Sequence, residues 1–193
     1  MVLTGRKVVL REKRITDGEA DYAWRCDPEL ADLDAAPPVV MSYPEYMFYY
    51  TDELRTPSRR RRRFAIDTIE GRHIGNCMYY DIDEEKRQAE LGILIGDREY
   101  WGRGYGTEAV KALVSHIFKE TDLDRIYLNT LVWNARAQRC FEKCGFVVCE
   151  RVTKRGYDFL VMELRRRWHK SDGGEAADTR GDAHNDASLK SAT

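Results

Sequence analysis

Glu90-Leu-Gly-Ile-Leu-Ile-Gly-Asp-Arg-Glu-Tyr-Trp-Gly-Arg-Gly-Tyr-Gly-Thr-Glu-Ala109 runs from a strand-like apolar stretch, through a short polar loop, into glycines at alternate positions 102, 104 and 106. Downstream, from Gly106 to Lys119, Val110, Leu113, Val114 and Ile117 recur at three- and four-residue spacing, the stripe of an amphipathic helix. A strand, a glycine loop and a helix in that order admit two readings. Converging backbone N–H groups and the positive end of a helix can hold a phosphate or pyrophosphate. The same glycines also serve a tight turn that needs positive φ. A Walker A loop is set aside because Tyr105-Gly106-Thr107 lacks its Lys-Ser/Thr, and the dinucleotide fingerprint because it ends in G-x-x-G near the N-terminus.

On either side of this segment the apolar period alternates between 2 and 3.6, as in a mixed α/β domain without internal repeats. Strands are expected over Lys7–Glu12, Arg63–Thr68, His73–Tyr80, Ala89–Ile95, Arg125–Val132, Phe146–Val152 and Tyr157–Leu164. Thr16 with Glu19 reads as a capping box opening a helix through about Arg25, and Ser42-Tyr-Pro44 opens another through about Leu54. A later helix spans Asn134–Lys143 and stops at Gly145, while Glu70-Gly71 marks a hairpin turn. Asp27-Pro28 and Ala36-Pro-Pro38 make the region between the first two helices turn-rich, a place for substrate-facing surface.

At 193 residues the chain suits one α/β domain. The expected boundaries are a domain over residues 1–168 and a disordered polar tail over 169–193, where Leu189 is the only large apolar residue. From Lys170 on, three basic and five acidic residues give −2, so against a whole-chain charge of −1 the rest carries +1. That balance speaks against nucleic-acid binding by bulk charge. No apolar run reaches membrane-spanning length and no signal-peptide pattern opens the chain, so a cytoplasmic protein is expected. Cys26, Cys77, Cys140, Cys144 and Cys149 form no C-x-x-C pair and have no His at ligand spacing, so reduced thiols and no metal are expected.

A second segment, Asn134-Ala-Arg-Ala-Gln-Arg-Cys-Phe-Glu-Lys-Cys-Gly-Phe146, lies one strand beyond the glycine loop. Together the two resemble the GNAT superfamily of acyl-CoA-dependent N-acetyltransferases. Leu3-Thr-Gly-Arg-Lys-Val-Val-Leu-Arg11 with Asp27-Pro28 resembles its RimJ/RimL-type branch, and the likeness extends from about Leu3 to Arg165. It implies an α/β (α+β) fold: a mixed, mostly antiparallel sheet of seven strands, splayed into a V and flanked by about four helices. It also implies acetyl-CoA as cosubstrate, with the pantetheine beside Ile93, Leu94 and Ile95 and the pyrophosphate on the N–H groups of Gly102, Arg103, Gly104, Tyr105, Gly106 and Thr107. Trp101 stands where the superfamily usually has Gln or Arg, a departure common in this branch. Asn134, Arg136 and Phe141 complete the implied cofactor contacts. Asn134 is equally an N-cap.

The implied activity is acetyl transfer to a primary amine, on a small molecule or a protein N-terminus. Such chemistry needs a neutral amine, a stabilised oxyanion and a proton for the leaving thiolate. Glu90 matches a Glu that acts as base through water in this branch; read from the residues alone, it is equally a strand-end surface carboxylate. The superfamily's acid is a Tyr, and Phe141 occupies its place. Water, Tyr105, Tyr127 or the product amine would then supply the proton, and a non-catalytic acyl-CoA-binding module is the alternative. Cys140 points about 100° away from Phe141 on a helix and reads as packing. At pH 7.5 about a third of an α-amine is neutral against roughly a thousandth of a Lys side chain, which favours the weaker amine.

Arg59–Arg63 is five consecutive arginines, a solvated loop or a contact for RNA or the ribosome, for an acidic protein or for an adenosine 3′-phosphate. Tyr43-Pro-Glu-Tyr-Met-Phe-Tyr-Tyr50 lines an acceptor pocket or packs as core. Besides the amine, a homodimer is open as a partner, and no membrane contact is expected.

Overall fold

The computed structural model describes residues 2–56 and 58–169. Its elements in chain order are β1 (Val2–Thr4), β2 (Val8–Glu12), α1 (Gly18–Cys26), α2 (Pro28–Leu33), α3 (Tyr43–Arg55), β3 (Arg61–Thr68), β4 (His73–Asp83) and β5 (Gln88–Ile95). Then follow α4 (Tyr105–Glu120), β6 (Arg125–Leu131), α5 (Ala135–Glu142), β7 (Val147–Lys154) and β8 (Tyr157–Arg165). The strands form one sheet in the order β1-β2-β3-β4-β5-β6-β8-β7, antiparallel everywhere except between β5 and β6. That one parallel pair is short. Gln88, Ala89 and Glu90 face Arg125, Ile126 and Tyr127, and the pairing ends there. The sheet therefore forks just beyond Glu90, and the fork positions the site.

The mixed, mostly antiparallel sheet agrees with expectation, but it has eight strands instead of seven. The additional one is β1, folded onto β2 by a turn in which Gly5 N–H donates to Val8 O at 2.8 Å. Three residues are too few for periodicity to register. Among the described residues there are also five α-helices instead of about four. α2 was hidden among prolines, yet Asp27 caps it by accepting from Leu30 N–H at 3.0 Å, with Pro28 in the first turn.

The Thr16/Glu19 capping box does not form. Asp17 accepts from Arg14 N–H at 2.7 Å across a one-turn helix over Ile15–Asp17, and α1 begins only at Gly18. Asp17 takes this role because Arg11 already holds its carboxylate in place. Gly71 adopts φ +87° in the expected hairpin turn, and Gly145 φ +89° after α5. His169, placed in the tail by sequence, contacts Ser115 and the Phe118 ring; the rest of that tail lies outside the described residues.

α4 lies across the sheet with Val110, Leu113, Val114 and Ile117 buried against Leu10, Ile66, Ile74 and Leu91. Each such side chain contributes about 1.5–3 kcal/mol on burial, so this layer dominates the core.

Opposite this apolar layer, the N-terminal helices meet the sheet through charge. Arg11, only 7% exposed, donates to Asp17 at 2.8 Å through both Nη1 and Nη2 and to Asp67 at 2.5 and 2.9 Å. Lys13 pairs with Asp21 at 2.5 Å and bonds Asn76. His73 bridges Asp21 and Asp67 at 3.2 and 3.3 Å, under the Trp24 ring.

Burial by itself would raise the Asp21 carboxyl. Hydrogen bonding to His73, the Lys13 charge and hydrogen bonds from Lys13 and Asn76 outweigh it and hold the group at about 2. Unfolded, the same carboxyl ionises near 3.8, so folding favours its charged form by about 2 kcal/mol. That stabilisation is complete above about pH 4 and vanishes as pH falls towards 2. Acid unfolding followed by tryptophan fluorescence should show this loss in the wild type. Asp21→Asn, which carries no charge to lose, should be less stable at neutral pH and flatter across the same window.

Candidate active site

β5 ends at Ile95, and the chain turns through a one-turn helix over Arg98–Tyr100 before reaching α4. Gly102 and Gly104 take φ +70° and +88°, conformations that side-chain-bearing residues adopt only with strain. They let the loop fold back so that α4 starts at Tyr105 with Gly104 as its N-cap. The first bond of this helix runs from Glu108 N–H to Gly104 O at 3.0 Å. The N–H groups of Tyr105, Gly106 and Thr107 precede it, and they are the helix's orphan donors at its positive end.

The loop is fastened on three sides. Trp101 Nε1 donates to Ile95 O at 2.6 Å, Lys7 Nζ to Arg103 O at 3.0 Å, and the Arg136 guanidinium stacks 3.5 Å from the Trp101 ring centroid. Trp101 thus acts as a strut where the superfamily's polar residue would face the ligand. α5 is fixed beside it by the Asn134 cap, which accepts from Ala137 N–H at 3.1 Å. Gln138 Nε2 adds bonds to Leu131 O and Val132 O at 3.0 and 2.9 Å.

Between the end of β5, the first turn of α4 and α5 lies a cleft of about 350 Å³. Ile93, Leu94 and Ile95 form its strand wall, and Trp101, Gly102, Gly104, Gly106 and Thr107 its floor at the α4 terminus. Asn134, Arg136 and Phe141 line the α5 side, together with Arg139, Cys140 and Lys143. Two of the expected residues stand apart. Arg103 turns its guanidinium to Glu99 O at 3.1 Å, and the Tyr105 ring packs edge-on against Tyr100. Their backbone groups remain in the loop, so the expectation about amides is not altered. The outer wall comes from Leu30, Leu33 and Asp34 at the end of α2, the helix hidden in the turn-rich segment.

Glu90 is not in the cleft wall but at the fork. By register it stands opposite Tyr80 on β4 and Tyr127 on β6, and it accepts from Asn129 Nδ2 at 2.8 Å. Strand alternation places Glu90, Gly92 and Leu94 on one face. A Cβ on Gly92 would sit 3.4 Å from the Tyr80 ring and 3.5 Å from the Met78 side chain, so these two side chains lie over that face between Leu94 and Glu90. The Tyr80 phenol is pushed up by burial first, then by the charge and hydrogen bonding of Glu90, then by Asp34 and Asp81. Tyr127 is raised in the same way, by burial and then by Glu90 and Asp81. Both phenols therefore keep their protons, in a negative environment.

Phe141 is buried against Phe146 and offers no proton. Tyr105, one of the alternative donors, lies on the loop instead of the fork; Tyr127 lies at the fork, and Tyr80 joins it unforeseen. The arginine run is not wholly a loop: Arg61, Arg62 and Arg63 begin β3, and Arg61 and Arg63 converge on Glu53. From the aromatic run, Tyr46 and Tyr50 pack inward while Phe48 and Tyr49 face solvent, and none of them lines the cleft. Among the described residues no cluster of His, Cys, Asp and Glu is placed to hold a metal ion, and no helix is long and apolar enough to cross a membrane.

The comparisons with known proteins agree with this geometry. The model of the acetyltransferase (GNAT) domain matches residues 7–147. The uncharacterized N-acetyltransferase p20 of Bacillus licheniformis is 28% identical over 121 residues, 62% of this chain and 67% of that protein. Spermidine N(1)-acetyltransferase of Vibrio cholerae is 31% identical over 86 residues, 45% of this chain, and the match spans only about half, 49%, of that relative's length. The crystal structure of spermidine N-acetyltransferase from Vibrio cholerae in complex with CoA and spermine superposes with a TM-score of 0.74. It is 22% identical, covering 83% of this chain and 96% of that one, a likeness of fold. With the match spanning most of the sheet, α4 and α5, the chain belongs to the acetyltransferase (GNAT) domain family.

Proposed function

We propose that this chain transfers an acetyl group from acetyl-CoA to a primary amine, of a small molecule or a protein N-terminus, and that it is of the RimJ/RimL type. The observation that carries the proposal is the cleft where the end of β5, the first turn of α4 and α5 meet, with Glu90 further back on β5 at the fork. When bound, acetyl-CoA supplies an activated thioester. The residues present fit it: unbonded first-turn N–H groups with Arg136, Arg139 and Lys143 around them for the diphosphate, and an apolar wall of Ile93 and Ile95 for the pantetheine. Leu3–Arg11 and Asp27-Pro28 support the branch, since Lys7 braces the glycine loop and Asp27 opens the outer wall of the cleft.

Glu90 lies four residues, about 13 Å along the strand, from Leu94, the cleft residue on its own face. At that separation it takes the amine's proton through water, beside the Tyr80 ring that lies over Gly92. Tyr80 and Tyr127, kept protonated beside it, are the donors able to return a proton to the leaving side. Asp34, Asp81 and Glu90 make the fork negative, which draws a cationic amine in before it is deprotonated. Arg61 and Arg63 are engaged with Glu53, so the arginine run is read as part of the fold and not as an RNA or ribosome site. The five unpaired cysteines suit a reducing cytoplasm.

The test is thiol release from acetyl-CoA with polyamines, amino acids, aminoglycosides and short peptides as acceptors. Amine-dependent release by at least one class is expected. Binding of CoA with no release for any acceptor would leave an acyl-CoA-binding module.

Gly104→Val should remove the cofactor's effect on stability, because a branched side chain resists φ +88° and covers the first-turn amides. In the wild type, CoA at 100 times its dissociation constant adds about 2.7 kcal/mol and raises the melting temperature. The variant should melt cooperatively with no such rise.

A further inference from the structure

Two cysteines meet beneath the glycine loop, and the acetyl-transfer chemistry uses neither. The Cys140 thiol lines the cleft and lies 3.6 Å from the point a Cβ on Gly106 would occupy. Thr107 Oγ1 donates to Cys140 Sγ at 3.5 Å, and Cys144 Sγ lies 3.5 Å from the Thr107 carbonyl oxygen. Both sulfurs thus rest on the first turn of α4, with Cys144 behind Cys140 and away from the cleft. Cys140 lies in the last turn of α5 and Cys144 in the turn that follows it, and the two sulfurs share Thr107 as a neighbour.

We propose that Cys140 and Cys144 form a redox pair, with Cys140 attacking a hydroperoxide and Cys144 resolving the product, and that their disulfide withdraws support from the diphosphate end of the cleft. The cleft's role in that statement rests on the function proposed above. The Cys144 thiol's hydrogen bond, opposed by burial and helped by Thr107 and the Lys143 charge, brings the Cys140 thiol down to about 7. The positive end of α4 acts in the same direction. Cys77, by contrast, is fully enclosed and its thiol is pushed up by burial.

The chemistry balances. Cys140 thiolate attacks the peroxide, an S–O bond forms, the O–O bond breaks, and the leaving hydroxide or alkoxide takes a proton from water. The Cys144 thiol then attacks the sulfenic sulfur, the S–S bond forms, the S–O bond breaks, and water leaves with the Cys144 proton. Two thiols have given two electrons to one peroxide. The new bond ties Cys140 Sγ to Cys144 and takes it out of its place against Gly106, so the amides above it lose their backing. A dithiol reverses the step.

The experiment uses the full chain with Cys26→Ser and Cys149→Ser, treated with hydrogen peroxide and mapped by peptide mass spectrometry. A Cys140–Cys144 linked peptide is expected, and a Cys144→Ser variant should instead carry a dimedone-trapped sulfenic acid at Cys140. Peroxide should abolish the CoA-induced rise in melting temperature, and dithiothreitol should restore it. CoA at 100 times its dissociation constant should slow iodoacetamide labelling of Cys140 by about 100-fold, the factor by which free protein is depleted. Absence of the linked peptide overturns the pairing, and a linked protein that still responds fully to CoA overturns its effect on the cleft. If the reduced protein shows no response to CoA at all, the proposed function fails and the peptide map alone decides the redox pair.

Discussion

Replacing Glu90 with glutamine is expected to slow amine acetylation by about 10²–10⁴-fold, with little change in CoA affinity. Glutamine keeps the oxygen that accepts from Asn129 Nδ2 at 2.8 Å, so the local structure survives while the basic group is lost. The deficit should be largest at low pH, where the amine arrives protonated, and should shrink as pH rises and neutral amine becomes abundant. A second readout separates this role from a structural one. Glu90 helps hold the Tyr80 phenol above its ordinary range, so a Glu90→Gln protein should show a Tyr80 ionisation moved downward in ultraviolet titration. Full activity from pH 6 to 9 would remove Glu90 from the proton path and leave direct attack by an already neutral amine.

Arg11→Ala should be strongly destabilising, by about 3–5 kcal/mol, because it removes the guanidinium between two buried carboxylates and leaves Asp17 with the Arg14 N–H and Asp67 with His73. In a chain of this size that corresponds to a fall in melting temperature on the order of 10 °C. Arg11→Lys should recover only part of the loss, since an ammonium lacks the planar fork that reaches both carboxylates at once. A loss below about 1 kcal/mol in urea unfolding would mean that the cluster is solvated and is not what fastens the N-terminal helices to the sheet.

The strand, loop and helix around Gly102–Gly106 were legible because two periodicities meet there and the glycines have no packing reason to alternate. α2 was not, because six residues between prolines carry less helical signal than turn signal. The buried cluster was invisible for a different reason. Arg11, Lys13, Asp17, Asp21, Asp67 and His73 are residue types that usually face water, and only the folded sheet brings them together.

Tyr80 shows how register defeats counting. Asp83 faces Gln88 across the hairpin, so regular pairing would set Glu90 opposite Asp81. A bulge with Asp81 at φ +48° shifts the ladder by one residue and brings Tyr80 there instead. One residue exchanges the faces of a strand, so the phenol reaches the carboxylate only because of that bulge. The Trp at position 101 was legible as a departure from the superfamily pattern. Its role as a strut between Ile95 O and Arg136 needed the coordinates.

The central claim is that the cleft ending on the first turn of α4 holds CoA, and calorimetric titration of the folded full chain with CoA measures it directly. Saturable binding of one CoA per chain, abolished by Gly104→Val, is the predicted result. A cooperatively folded wild-type protein that gives no binding heat and no melting shift with millimolar CoA would contradict it.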